Sequence, residues 1–116
     1  MEQRRSNTVL VLDSAGLGHG NDELGAQLIV NYLRTWAFRD EVPQTIACYN
    51  DGVKLAVQGS PTVPMLEALA QKGADIVLCG TCVNFYQLQD KLAIGHVGDM
   101  KGIVEALAAA EKVIYT

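Results

Sequence analysis

The chain has no apolar run approaching the ~20 residues needed to cross a bilayer. It has no run of Lys and Arg, and only three cysteines, three prolines and a single tryptophan in 116 residues. The missing apolar span excludes a membrane helix, and Met1-Glu-Gln-Arg-Arg-Ser-Asn7 has neither the apolar stretch nor the cleavage site of a signal peptide. Cytoplasm is therefore the expected location, without a membrane partner. The missing basic stripe, with a formal net charge of −4, argues against nucleic acid as a partner, since phosphate neutralisation needs Lys and Arg. Three cysteines in a reducing compartment do not make a disulfide framework. No Ser-His-Asp arrangement and no recognisable carboxylate pair supports hydrolysis.

What remains suits one packed domain over residues 1–116, with residues 1–7 frayed and Arg4 and Arg5 among them. Nearly half of the residues are apolar. Thr8–Asp13 is a continuous apolar run, the pattern of a strand covered on both faces. Ser14–Asn21 is a glycine-rich loop. Asn21 is a credible N-cap for a helix over 22–38, with Leu24, Leu28, Ile29, Leu33 and Trp36 at helical spacing. Pro43 marks a break, Gln44–Tyr49 a second strand, Asn50-Asp51-Gly52 a turn, and Val53–Val57 one or two helical turns. A helix starting at Thr62 to Pro64 buries Leu66, Leu69 and Ala70 and stops at Gly73. Asp75–Cys79 is the third strand. A helix from about Cys82 to Lys91 should turn Phe85 and Leu88 inward. Ala93–Gly98 is a short strand or an extended connection. Asp99 caps a last helix with Ile103, Val104, Leu107 and Ala108 inward, and Lys112–Thr116 closes as a strand. This alternation predicts an α/β fold of three layers, α/β/α, with a mostly parallel sheet of about five strands. The 14–21 loop, the 50–52 turn and the 79–82 pair then fall on one sheet edge, beyond the carboxyl ends of the strands, where ligands gather in such folds.

The most informative feature is Cys79-Gly80-Thr81-Cys82 at the end of a buried strand. A helix start there, with Thr81 as N-cap, would favour a thiolate, and Gly80 would permit an unusual backbone angle and keep the thiols accessible. The competing reading is two small apolar side chains filling a strand–helix junction. Thioredoxin-type chemistry fits poorly, because the pair follows a late strand and lacks aromatic and proline neighbours. Zinc fits poorly too: Cys79 and Cys82 make one pair, while Cys48, His19 and His96 are scattered, so no metal is expected. Cys48 reads as a buried, inert thiol. Gly16-Leu-Gly18-His19-Gly20-Asn21 is G-x-G-x-G rather than a dinucleotide fingerprint, and no other cofactor motif is present, so no cofactor is expected. Gly18, Gly20 and Asn21 are either an anion cradle at a helix start or glycines that turn the chain. His19 can take a proton beside a thiol or remain a solvated loop side chain. Asn50 lies at a strand-end turn beside the same edge, and Lys54 is either a source of positive potential there or an ordinary surface lysine.

Four stretches, in order, carry a family resemblance: Gly18-His-Gly-Asn-Asp-Glu-Leu-Gly25, Tyr49-Asn-Asp-Gly-Val-Lys-Leu-Ala56, Gly73 through Cys82, and Gly95 through Met100. With them the chain resembles the DsrE-like family, and within it the C-terminal domain of YedF-type, selenium metabolism-associated proteins. The resemblance implies a three-layer α/β/α fold, homo-oligomers and sulfur-relay chemistry. It implies a persulfide on Cys79, with Cys82 the second cysteine of the YedF pattern, and sulfur donor and acceptor proteins as partners. YedF-type proteins normally carry an N-terminal TusA-like domain that is not in this sequence, so the chain is either a stand-alone domain or a piece of a longer protein; a TusA-like protein is a candidate partner. Relatives tend to have glycine where this chain has Gln87. The resulting expectation is a sulfurtransferase-like carrier of sulfur or selenium. The alternative is a non-catalytic oligomeric subunit whose cysteines are packing or a redox clasp.

Overall fold

The computed structural model describes residues 4–116. Five parallel strands form one sheet in the order β4-β3-β2-β1-β5. The strands are β1 (Arg4–Leu12), β2 (Glu41–Cys48), β3 (Asp75–Cys79), β4 (His96–Gly98) and β5 (Lys112–Tyr115). The helices are α1 (Asp22–Ala37), α2 (Val63–Gln71), α3 (Gly80–Phe85) and α4 (Met100–Ala109), with a 3-10 helix at Asn50–Ala56. From β1 the chain steps outward through β2 and β3 to β4. It then returns through α4 to set β5 against the other side of β1.

The period of two within each strand decides which side chains meet which helices. Leu10, Leu12, Ile46, Cys48, Ile76 and Leu78 share one core with Ile29 and Leu33 of α1 and Leu66 and Leu69 of α2. Val9, Val11, Ala47 and Cys79, one residue out of step, share the other with Ile103 of α4. Both faces of β1 and β2 are thus covered, which is why their sequences are nearly continuous apolar runs rather than alternating ones. The predicted three-layer α/β/α architecture with about five parallel strands is the one observed.

Several local expectations are corrected. β1 begins at Arg4, not Thr8: Arg4, Arg5 and Ser6 pair with Glu41, Val42 and Pro43, so residues 4–7 are strand and not a frayed end. Met1, Glu2 and Gln3 lie outside the described residues. Pro43 does not break the chain but sits inside β2. It is tolerated because β3 joins only from Thr45 onward, leaving Pro43 paired on one side. Leu24 and Leu28 are exposed, and α1 buries the narrower stripe of Gly25, Ile29 and Leu33. In α4 Val104 and Ala108 face outward, while Ala106 packs inward with Ile103 and Leu107.

The largest departure follows the cysteine pair. α3 is only six residues long and starts at Gly80, with Cys79 itself as N-cap; Thr81 caps nothing and is exposed. Phe85 points to solvent at 79% exposure, although Leu88 does pack on the core. The chain leaves the helix through Gln87, which adopts a left-handed backbone with φ 57°. A residue with a Cβ is disfavoured there, where glycine would sit without strain.

Cys48 is fully enclosed, and burial pushes its thiol up to about 12 from 9.0. Across that interval the unfolded chain has released a proton that the folded chain retains, so stability falls as pH rises. Denaturant unfolding between about pH 9 and about pH 11 should lose about 1 kcal/mol per pH unit from this group. Cys48→Ala should flatten that slope; an unchanged slope in the variant would contradict the assignment.

Candidate functional site

The site is built where β1, β2 and β3 end on the same edge. Leu12 pairs with Cys48 and Cys48 with Leu78, so the segments that follow leave the sheet side by side. After β2 the chain turns at once into the 3-10 helix, and the Tyr49 N–H donates to Leu12 O at 3.2 Å. The turn lies so close to β1 that a Cβ on Gly52 would stand 1.9 Å from Leu12 O. Only glycine fits there.

This close approach aims one backbone group at a thiol. The Asn50 N–H donates to Cys82 Sγ at 3.0 Å. Asn50 is left-handed, with φ 52°, a conformation that asparagine tolerates better than most residues. Its side-chain oxygen accepts the Asp51 N–H at 2.9 Å. Tyr86, just after α3, donates its hydroxyl proton in a short hydrogen bond to Asp51 Oδ1, and its oxygen lies 3.3 Å from Asn50 Oδ1. Lys54 closes the group, 3.3 Å from Asp51 and 4.3 Å above the Tyr86 ring. The Tyr86 hydrogen bond, helped by Lys54, holds Asp51 below the usual carboxylate range, and the same bond holds the Tyr86 phenol above its own.

The two cysteines differ in exposure, although both were expected to be accessible. Cys79 is buried, at 2% exposure, against Val9, Val11, Ala47 and Ile103; it is not the accessible thiol. Cys82 is partly exposed and packs against both cores, beside Cys79. Burial pushes the Cys82 thiol up, and a hydrogen bond and charge repulsion from Cys79 add to this, while the Asn50 N–H pulls it down. The net direction is upward. A helix start that lowers this pKa, as expected from sequence, is therefore not found: α3 is too short to collect an appreciable dipole, and desolvation wins.

Of the other predicted residues, Gly80 has no unusual backbone angle. A Cβ there would come within 3.2 Å of Gly98 O and Val97 Cγ1, so its role is close packing on β4. Asn21 caps α1 as expected, accepting the Leu24 N–H at 2.9 Å, and Gly18 and Gly20 have positive φ, as a tight turn requires. His19 is exposed in that loop, which binds back to α1 through Leu17 N–H to Gly25 O at 3.0 Å. No hydrogen bond among the described residues joins His19 to a thiol. The glycine loop, the 50–52 turn and the cysteine pair follow strand ends on one edge, and there it is the Asn50 N–H that meets Cys82. Sequence reading missed Tyr86 and Asp51. Asp51 looked like half of a turn, and Tyr86 lay inside a helix expected to run on to Lys91. Among the described residues no group of three or more His, Cys, Asp and Glu side chains gathers as a metal site, and no helix is long and apolar enough to cross a membrane.

The site is thus a thiol in the short helix after β3, under a backbone N–H, at the edge of an all-parallel three-layer sheet. The DsrE/DsrF-like family profile matches residues 22–116, and the chain belongs to that family, which is associated with sulfur relay. Two solved structures share the fold. The ychN protein of E. coli is 19% identical with a TM-score of 0.67, covering 96% of this chain and 99% of that one. MTH1491 of Methanobacterium thermoautotrophicum, described as a protein of unknown function, is 18% identical with a TM-score of 0.66, covering 97% and 99%. No curated protein matches the chain.

Two outcomes follow from this geometry. Gly52→Ala should destabilise the fold by at least about 3 kcal/mol, since backbone and not a movable side chain blocks the added methyl; thermal unfolding close to that of the parent would contradict the close approach. In the folded protein iodoacetamide should modify Cys82 well before Cys79. Its rate should climb about tenfold per pH unit through pH 9 without a plateau, because the thiolate is the reactive form and the Cys82 thiol is raised. A plateau below about pH 8 would show that the N–H outweighs burial.

Proposed function

We propose that the protein is a sulfurtransferase-like carrier in which Cys82 takes up and hands on a sulfane sulfur. The observation that carries this reading is the Asn50 N–H, 3.0 Å from the one cysteine sulfur of the pair that solvent reaches. Family membership supports it, and so does Cys79 directly behind Cys82. The sequence resemblance favoured Cys79 as carrier; its burial favours Cys82.

In loading, the Cys82 thiolate attacks the terminal sulfur of a donor persulfide. The donor's S–S bond breaks and the donor leaves as a thiol, so R–S–SH and Cys82–SH become R–SH and Cys82–S–SH with no net oxidation. In discharge an acceptor thiolate attacks that terminal sulfur and Cys82 returns to the thiol. A second exit uses Cys79. Its thiolate attacks Cys82 Sγ, closes a disulfide and expels sulfide, so two cysteine sulfurs are oxidised while the sulfane sulfur is reduced. An external dithiol must then reset the pair. Selenium can follow the same path, as the YedF-type resemblance suggests.

The raised pKa fits a carrier that is quiet until a partner docks, because the resting sulfur is mostly the unreactive thiol. Donor and acceptor proteins, a TusA-like protein among them, are the partners this chemistry needs. Exposed Phe85, Met100, Val104 and Tyr115 offer apolar surface for them or for further copies of this chain.

The burial of Cys79 and the raised Cys82 pKa also favour a second reading, a non-catalytic subunit with packing cysteines. Intact mass after incubation with a small-molecule persulfide donor separates the two. The carrier reading expects a gain of one sulfur that dithiothreitol removes, retained in Cys79→Ser and lost in Cys82→Ser. Absence of the gain in the parent, or its survival in Cys82→Ser, favours the second reading.

A further inference from the structure

The Asn50 N–H can act on Cys82 only if the turn that carries it is held still. Three features bear on this. Asn50 sits in a left-handed conformation that its own residue type tolerates but does not enforce. The turn is exposed at Asn50, so core packing does not fix the direction of that N–H. The Tyr86 hydroxyl reaches across from the far end of α3 to both Asp51 Oδ1 and Asn50 Oδ1. Cys82 lies on the same short helix that Tyr86 follows, so the hydroxyl ties the donor turn to the segment that carries the thiol.

We propose that Tyr86 is a positioning residue for Cys82: through Asp51 it latches the Asn50–Asp51 turn so that the Asn50 N–H stays aimed at the sulfur. The proposal deepens the carrier reading, since a held N–H is what would steady a thiolate or persulfide anion on Cys82. Lys54 belongs to the latch as the counter-charge of Asp51, at 3.3 Å. The titratable groups facing Cys82 are Cys79 from the end of β3 and Tyr86 from its own segment; Asp51 and Lys54, from the 3-10 helix, face Tyr86. Loss of the phenol oxygen removes the latch and frees the Asp51 carboxylate, and both effects disfavour negative charge on Cys82.

The test is the pH profile of Cys82 alkylation by iodoacetamide in the full chain, read by peptide mass spectrometry. Tyr86→Phe keeps the ring, with its edge contact to Phe85 and its place under Lys54. It should displace the profile to higher pH and slow alkylation near pH 8 about three- to tenfold, the scale of one ordinary hydrogen bond. Asp51→Ala should slow alkylation in the same direction but by less, since it also removes a negative charge; Asp51→Asn should react no more slowly than the parent, and Tyr86→Phe with Asp51→Ala should be no slower than Tyr86→Phe alone. Buried Cys48 should stay unmodified throughout, which a loosened fold would not allow. If Tyr86→Phe exposes Cys48, Asp51→Ala decides. An unmoved or lowered profile overturns the proposal. That result is distinct from failure of the carrier reading, which appears as absent sulfur loading in the parent, whatever its alkylation profile.

Discussion

The site depends on one close approach, that of the turn after β2 against the last carbonyl of β1. Gly52 stands where any side chain would strike Leu12 O, and the Tyr49 N–H bonds that same carbonyl. With the turn pressed down there, the Asn50 N–H comes within 3.0 Å of Cys82 Sγ. If the turn were lifted by the width of a methyl group, the N–H would point at water and Cys82 would be an ordinary half-buried thiol. The parallel sheet brings the two segments to the same edge, but the missing Cβ sets the distance.

The three cysteines form a series in which burial and hydrogen bonding compete. Cys48, enclosed by the α1 and α2 face, feels only desolvation and stays protonated under any ordinary condition. Cys79 is buried on the α4 face among Val9, Val11, Ala47 and Ile103. Cys82 reaches solvent, and it is the one whose shift includes an opposing backbone donor. Position relative to the strand end thus decides exposure, and of the pair it is Cys82 that meets both solvent and a backbone N–H.

Much of this was legible in the sequence, for identifiable reasons. The apolar runs around Leu10, Ile46 and Ile76 announce strands covered on both faces, and the spacing between them requires parallel crossovers. Gly73, Asn21 and Asp99 mark helix ends through local backbone chemistry, and each does so in the structure. Tertiary effects were not legible. Phe85 has the spacing of a core residue, yet the left-handed step at Gln87 ends the helix early and leaves the ring outside. Leu24 and Leu28 complete an apolar stripe by periodicity, although α1 buries only Gly25, Ile29 and Leu33 of its face. Asn50-Asp51-Gly52 has the composition of any turn, so its role against Cys82, and that of Tyr86 beyond it, follow only from how two distant segments meet. The choice between Cys79 and Cys82 is of the same kind: a strand-end cysteine and one three residues later look alike until their exposures are known.

The central claim is that sulfur enters at Cys82 beneath the Asn50 N–H. A crystal structure of the protein after reaction with a persulfide donor tests it most directly. The account predicts density for one additional sulfur on Cys82 Sγ, with the Asn50–Asp51 turn in place and Cys79 unmodified. Density for that sulfur on Cys79, or a loaded Cys82 whose turn has swung away, would contradict it.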